Sequence, residues 1–357
     1  MNMNAFQNPS PNLSLRGRGI IILIALATMP SLASAQSSID RIRRQNGVDS
    51  GQITAVTPLG VTISKSGVES TVPAEEIEAI TFAGEPGELN SARNALQAGR
   101  AQDAVESLAK ITVADISREE ILADVAFYSA LAKAQLALAG NGDLADAATD
   151  MRNFMAKHGK NFHVPQAIET LGDLLAADKQ APAARAEYAK LAKAKSPFFE
   201  SKSALLVGRT FQAEGDHAKA QAEFDKVIAS TDDSDQLAPL KLAATLERAV
   251  SQAAQGQAKE ATAAIGDIIA QAKPEDAELL ARAYNALGDS YLQAKDPRGA
   301  LFAFLHVDLL YSQNAEAHAK ALHELVPLWK SAGRDSRSQE AAQKLAQKYP
   351  GSRWAKQ

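Results

Sequence analysis

Histidines and one short acidic run are the residues of this sequence best suited to metal chemistry. His318 and His323 are five residues apart, so on a helix they do not share a face, unlike the i, i+4 pair of a zinc-binding helix. His158 and His163 flank the loop-like stretch GKNF. The run STDDSDQ, residues 230–236, lacks the spaced ligands and the glycine of a calcium loop. We therefore expect no metal site, with histidines that face solvent or cap helices and acids that cap the next helix.

Sequence motifs of common enzyme mechanisms are missing. The sequence has no nucleotide-binding P-loop, no G-x-G-x-x-G after a strand and no G-x-S-x-G. It also has no cysteine, which excludes thiol catalysis, disulfides and thiolate metal sites. We expect no catalytic residue and no cofactor, and hence a protein that is not an enzyme.

The composition favours closely packed helices. Hydrophobic residues make up 46% of the 357 residues, charged residues 22% and aromatic residues only 5%, and alanine is the commonest filler. The formal net charge is −4. Because a nucleic-acid binder needs a basic footprint, this charge predicts no nucleic-acid partner.

The N-terminus has the pattern of an export signal. Arg16 and Arg18 precede the apolar run IIILIALATMPSLA, and small residues at Ala33 and Ala35 follow. We expect residues 1–35 to be a signal peptide cleaved after Ala35, which predicts a periplasmic or secreted protein. The run is shorter than a bilayer span, so we expect no integral membrane span after cleavage, and retention as an anchor is the alternative.

A short region with strand-like texture follows the signal. Residues 36–46, QSSIDRIRRQN, are predicted to be a polar linker, although its three arginines leave open a peripheral contact with anionic lipid or a partner. Residues 47–84 carry valine and isoleucine in short alternating runs punctuated by PLG and KSG. This pattern predicts a small antiparallel β unit of three or four strands, packed on the helices or on another chain because it is short.

Helical periodicity takes over in residues 85–357, with regular breakers and an internal repeat. Gly208, Ala220 and Phe224 have the same spacing as two other sets. Those sets are Gly172, Ala184 and Tyr188, and Gly288, Ala300 and Phe304. Small residues at these offsets allow two antiparallel helices to approach closely, and the aromatic fills the seam to the next unit.

These residues resemble the tetratricopeptide repeat (TPR), and YNALGDSYLQAKDPRGALFAF, with Tyr284, Leu287 and Gly288, matches it best. The resemblance covers roughly residues 85–355. It implies a mainly α protein, an α-solenoid of about seven TPR-like helix-turn-helix units preceded by the small antiparallel β unit.

The resemblance further implies that the first helix of each unit lines a concave groove where a peptide or partner segment binds. Projecting the helical period from the marker glycines places six side chains on this face: Lys202, Arg209, Arg282, Asn285, Lys320 and His323. The last four could hold a carboxylate, loosely like the carboxylate clamp of chaperone-binding members, whose full set of Lys and Asn residues is not reproduced. The simpler interpretation is solvated charge on an alanine-rich helix.

Two classes of function remain open for an exported TPR-like chain. The first is a non-catalytic scaffold of the cell envelope that binds a protein or peptide. The second is an accessory or carrier module that binds a glycan or peptide for an envelope enzyme complex. The scarcity of aromatic residues, which stack on sugars, favours a protein partner.

Overall fold

A five-stranded antiparallel sheet precedes fourteen α-helices in the part of the chain that the computed structural model describes, residues 39–44 and 46–356. The predicted signal peptide, residues 1–35, lies outside the described residues. The mainly helical architecture and the small N-terminal β unit are both as the sequence predicts.

The first four strands of the sheet follow one another as a meander, and the fifth joins the sheet at the free edge of the first. Its strands are β1 (Asp40–Arg44), β2 (Gly47–Thr57), β3 (Gly60–Lys65), β4 (Val68–Pro73) and β5 (Ile77–Thr81). They lie side by side in the order β4-β3-β2-β1-β5. Strand β2 pairs with β1 through its first half and with β3 through its second half, so one strand belongs to both halves of the sheet.

Strand β1 corrects the prediction of a polar linker over residues 36–46. Ile42 is fully buried, and Asp40 points inward beside it, whereas Arg41 and Arg43 point outward. The Asp40 carboxylate accepts hydrogen bonds from the backbone N–H groups of Ile53 (2.9 Å) and Ala83 (2.7 Å). An acid at an inward position hides the alternation of apolar residues by which strands are recognised, and this is why four strands at most were expected and five are found.

The helices form seven consecutive antiparallel pairs, as the repeat predicts. They are α1 (Gly87–Gln97), α2 (Ala101–Leu108), α3 (Glu119–Leu138), α4 (Leu144–Lys157), α5 (Val164–Ala177), α6 (Ala181–Tyr188), α7 (Pro197–Ala213), α8 (His217–Ile228), α9 (Ala238–Ala254), α10 (Ala258–Gln271), α11 (Ala277–Gln293), α12 (Pro297–Leu310), α13 (Ala315–Ser331) and α14 (Asp335–Lys348). Helix α3 is long and apolar enough to cross a membrane, but most of it is buried against neighbouring elements.

The marker glycines give the rings of the second helices room to lie on the first helices. A Cβ atom added at Gly208 would lie 2.5 Å from the Phe224 ring, and one added at Gly288 would lie 2.5 Å from the Phe304 ring. Tyr188 covers Gly172 in the same way. Each aromatic therefore packs first against its own unit, and only then against the next one.

The sheet and the first three units share one continuous hydrophobic core. This core runs from Ile42 in β1 through Leu89 in α1 and Phe127 in α3 to Leu206 in α7. Beyond it, the buried apolar residues divide into three separate clusters, each confined to two neighbouring units.

A buried ionic cluster joins α1, α3 and the residue that precedes α5. Arg93 in α1, 3% exposed, donates to Glu85 (2.7 and 2.8 Å) and to Asp124 in α3 (2.8 Å). Burial alone would lower the pKa of Arg93, but its hydrogen bonds to Glu85 and the charge of Asp124 raise it above the ordinary value. His163 completes the cluster, with Nε2 3.0 Å from Asp124 Oδ1 and its ring stacked on Phe127.

The end of the chain returns to the second unit. After α14, the backbone of Gly351 lies directly against Ala139 and Gly140 in the turn between α3 and α4. Gly140 has a positive φ of 81°, and a Cβ atom there would collide with the Gly351 carbonyl group. A glycine is therefore required at this turn for two reasons: the positive φ, and the close approach of the Gly351 backbone.

Candidate partner-binding groove

First helices of the last three units line a polar cavity of about 410 Å³. Helix α11 supplies the central stripe, Glu278, Arg282, Asn285 and Asp289, whose spacing keeps all four on one helical face. Glu247 and Val250 of α9 lie on one side of the stripe, and Glu316 and Lys320 of α13 lie on the other. Three of the six predicted groove residues, Arg282, Asn285 and Lys320, are therefore brought together here.

Every base that lines this cavity is already bonded to an acid. Arg282 donates to Glu247, Lys320 donates to Asp289, and Arg353 donates to Glu316 (2.8 Å). Burial lowers the pKa of Arg282. Burial also raises the pKa of Asp289, which its bond to Lys320 opposes. The cations predicted to hold a carboxylate are thus neutralised by acids from neighbouring helices.

Asn285 is held in one orientation with part of its amide unused. Its Nδ2 atom donates to the backbone carbonyl oxygen of Ala317 (2.9 Å), so Oδ1 points away from that bond. No donor of the described chain reaches Oδ1, although the residue is only 5% exposed. Burying an amide oxygen without a hydrogen-bond donor costs free energy, and a bound group that donates to it could remove that cost.

The other three predicted residues lie outside the cavity lining. Arg209 stands next to it and donates from Nε to Glu247 (3.1 Å). His323 donates from Nδ1 to the carbonyl oxygen of Trp354 (3.1 Å) in the C-terminal segment. Lys202 pairs with Glu169 (2.9 Å) and lines a smaller cavity, about 150 Å³, between the sheet and helices α5 and α7.

Sequence reasoning missed several charged residues of the groove, among them Glu247, Glu278, Glu316 and Arg353. Glu247, the acid shared by Arg209 and Arg282, lies on α9, where Ala249 occupies the place of the marker glycine. The sequence contains a spacing that would have aligned α9 with the other first helices. Ala249 precedes Gly256 by seven residues, as Gly208 precedes Gly215. Arg353 follows the last helix, where no periodicity could place it.

The histidines differ from the expectation that they face solvent or cap helices. His158, His163 and His318 are buried, and the ring of His318 lies between Asp308 and Tyr349, 2.7 Å from each. Burial lowers the pKa of His158 and of His163, so both favour the neutral form. Within the described residues, no group of three or more His, Asp or Glu side chains is arranged to hold a metal ion.

The acidic run also differs from expectation, because its acids do not cap the next helix. Asp232 accepts the N–H of Ser234 (2.8 Å) and Asp233 pairs with Lys241 (3.1 Å). Helix α9 itself begins without a side-chain cap.

Solved structures with the same arrangement of helices are TPR proteins and related regulators. A tetratricopeptide repeat protein from Parabacteroides merdae is 15% identical, with a TM-score of 0.50 over 73% of this chain and 91% of that one. A Rap protein in complex with Competence and Sporulation Factor is 13% identical, with a TM-score of 0.52 over 75% of this chain and 76% of that one. No family profile matches the sequence, and no curated protein does so significantly. The fold is that of a TPR-like α-solenoid.

Proposed function

We propose that this protein is a non-catalytic interaction scaffold of the cell envelope, and that it binds a segment of a protein or peptide in the cavity around α11. The observation that carries the proposal is the cavity itself, because a ligand there would touch three consecutive units at once. The unused Asn285 oxygen offers such a ligand an acceptor on the cavity lining. The similar Rap protein was solved with a bound factor, which supports the same use of the fold.

A peptide suits the cavity better than a glycan does. Sugar-binding sites commonly present aromatic faces on which a ring can stack. None of the residues that line the cavity is aromatic, whereas charged and amide side chains are plentiful. The alternative of a glycan-binding accessory module therefore has no support from the lining.

Placement in the envelope depends on the N-terminal sequence. The basic, apolar and small-residue regions of residues 1–35 have the order of a cleavable export signal. We expect the mature protein to begin at Gln36 when it is isolated from the producing cells. Recovery of a chain that retains residues 1–35 would favour the anchored alternative instead.

The absence of cysteine makes a site-specific binding test direct. Val250→Cys places a single thiol on the cavity lining, and Ala346→Cys places one on the exposed side of α14. Each variant would be labelled with an environment-sensitive dye and titrated with a random pool of short peptides. We expect the fluorescence of the dye to change saturably at position 250 and to stay constant at position 346. Equal responses at both positions, or none, would contradict peptide binding in this cavity.

A further inference from the structure

One base beside the cavity around α11, Arg209, shares Glu247 with Arg282, and the lining itself has one more acid than it has bases. Its acids are Glu247, Glu278, Asp289 and Glu316, and its bases are Arg282, Lys320 and Arg353. Since each base is bonded to one of the other three acids, Glu278 is the member left over. Glu278 is exposed and lines the cavity; its charge acts on Arg282, one helical turn away, but no ion pair within the described residues engages it.

A second unpaired acid stands close to the same stripe. Glu324 follows Lys320 by one helical turn on α13, and it too has no ion-pair partner in the described residues. Burial, and then the charge of Asp289, raise the pKa of Glu324 above its ordinary value. The charges of His323 and Lys320 oppose this rise in pKa.

The two possible signs of ligand charge have different consequences for these pairs. A carboxylate could reach Lys320 only by competing with Asp289, and it would leave that half-buried acid without its cation. At Arg282 it would compete with the buried Glu247, which would then keep only Arg209. Removing the partner of a buried charge is strongly unfavourable. A cation could instead approach Glu278 while all three ion pairs remain intact.

Asn285 supplies the second recognition element. Its Oδ1 has no donor in the described chain, whereas its Nδ2 already uses one of its two N–H groups on the Ala317 carbonyl oxygen. Glu278 and Asn285 share the stripe of α11 that lines the cavity. An extended peptide has unpaired backbone N–H groups that match such an acceptor.

We propose that the segment bound in this cavity is extended and basic. A backbone N–H group donates to Asn285 Oδ1, and a lysine, arginine or N-terminal ammonium group binds at Glu278. This inference depends on the proposed function, and it replaces the hypothesis that the groove holds a carboxylate.

Three fluorescent pools of short peptides, equal in length, test the proposal against the mature chain. The pools carry lysine and arginine, aspartate and glutamate, or serine at the same fixed positions. Glu278→Gln removes the unpaired acid at the cavity. Glu340→Gln removes one negative charge from the exposed face of α14 and is the matched control. Binding is measured by fluorescence anisotropy at low and at physiological salt.

The basic pool is expected to bind most tightly. Glu278→Gln should weaken that binding by about two- to fivefold, the range of a partly screened ion pair, while Glu340→Gln leaves it unchanged. Preference for the acidic pool, or equal weakening by the two substitutions, would overturn the basic segment and leave peptide binding in place. Failure of all three pools to bind would overturn the proposed function as well.

Discussion

The beginning and the end of this solenoid are built differently. From the sheet to α7, apolar side chains form one continuous core, and the charged groups inside it are buried and mutually bonded. From α7 to α14, the core breaks into small clusters between neighbouring units, and charged groups line an open cavity. The same repeat therefore forms a continuously packed region next to the sheet and an open, charged cavity in the later units.

The sheet explains much of this difference. Residues of the sheet and of its last turn pack against helices of the first units, so these repeats are covered on a face that the later repeats leave open. The helices of the later repeats pack on those of neighbouring repeats, which is the usual arrangement in solenoids and makes stability largely a sum of local contributions. A polar inner face is tolerated where water can reach it, and the cavity around α11 lies there.

The largest expected effect is the loss of the buried cation. Arg93→Met leaves the carboxylates of Glu85 and Asp124 buried without their partner, and we expect it to lower the free energy of unfolding by about 3–5 kcal/mol. Arg353→Met, the control, breaks an exposed pair with Glu316 at the cavity and should cost only about 0–1 kcal/mol. Urea denaturation followed by circular dichroism measures both. Similar costs for the two variants would remove the distinction between the regions.

A smaller and more local effect is expected at a marker glycine. Gly288→Ala forces a methyl group against the Phe304 ring and should cost about 1–3 kcal/mol. Gly266→Ala is the matched control, because a Cβ atom there meets nothing within 4 Å, and it should stabilise helix α10 by up to about 1 kcal/mol. Hydrogen exchange should show the loss of protection in α11 and α12 but not in α1–α4. Loss of protection throughout the chain would contradict the segmented core.

The smallest effect concerns the boundary between the two regions. Burial raises the pKa of Asp173 in α5 to about 6, although Tyr188 donates a 2.6 Å hydrogen bond to it. Because the folded state holds this proton more tightly than the unfolded state, the contribution of Asp173 to stability increases as the pH falls from above 6 towards 4.

Asp173→Asn removes this proton linkage but keeps an acceptor for Tyr188. The free energy of unfolding of the variant should rise relative to that of the parent as the pH increases from about 4.5 to about 7.5, with a slope of at most about 1.4 kcal/mol per pH unit. Urea denaturation of both proteins at a series of pH values measures the difference. A difference that is constant with pH would mean that water reaches Asp173 as freely as it reaches the open cavity.

The sequence predicts the repeat units well because their markers are steric. Gly208 with Phe224 and Gly288 with Phe304 record direct contacts within a unit, and such contacts survive variation elsewhere. Strand β1 was missed because Asp40 stands at an inward position and is satisfied by Arg118 and backbone groups far away in the chain. No local pattern can show a partner 78 residues distant.

The groove was predicted in part for a similar reason. Helical period alone placed Arg282, Asn285 and Lys320 on the correct face. It could not show that Glu247 pairs with Arg282 and Asp289 with Lys320, because each of these ion pairs joins two different helices. The helical face on which a residue lies follows from the local sequence. Whether its charge is paired depends on the neighbouring units.

The contact between Gly351 and the turn at Gly140 also restricts how this protein can evolve. Solenoids ordinarily lengthen or shorten by duplication or deletion of whole units, because each unit needs only its neighbours. Here the segment after α14 also meets the second unit, so insertion or deletion of a repeat between them would disrupt this contact.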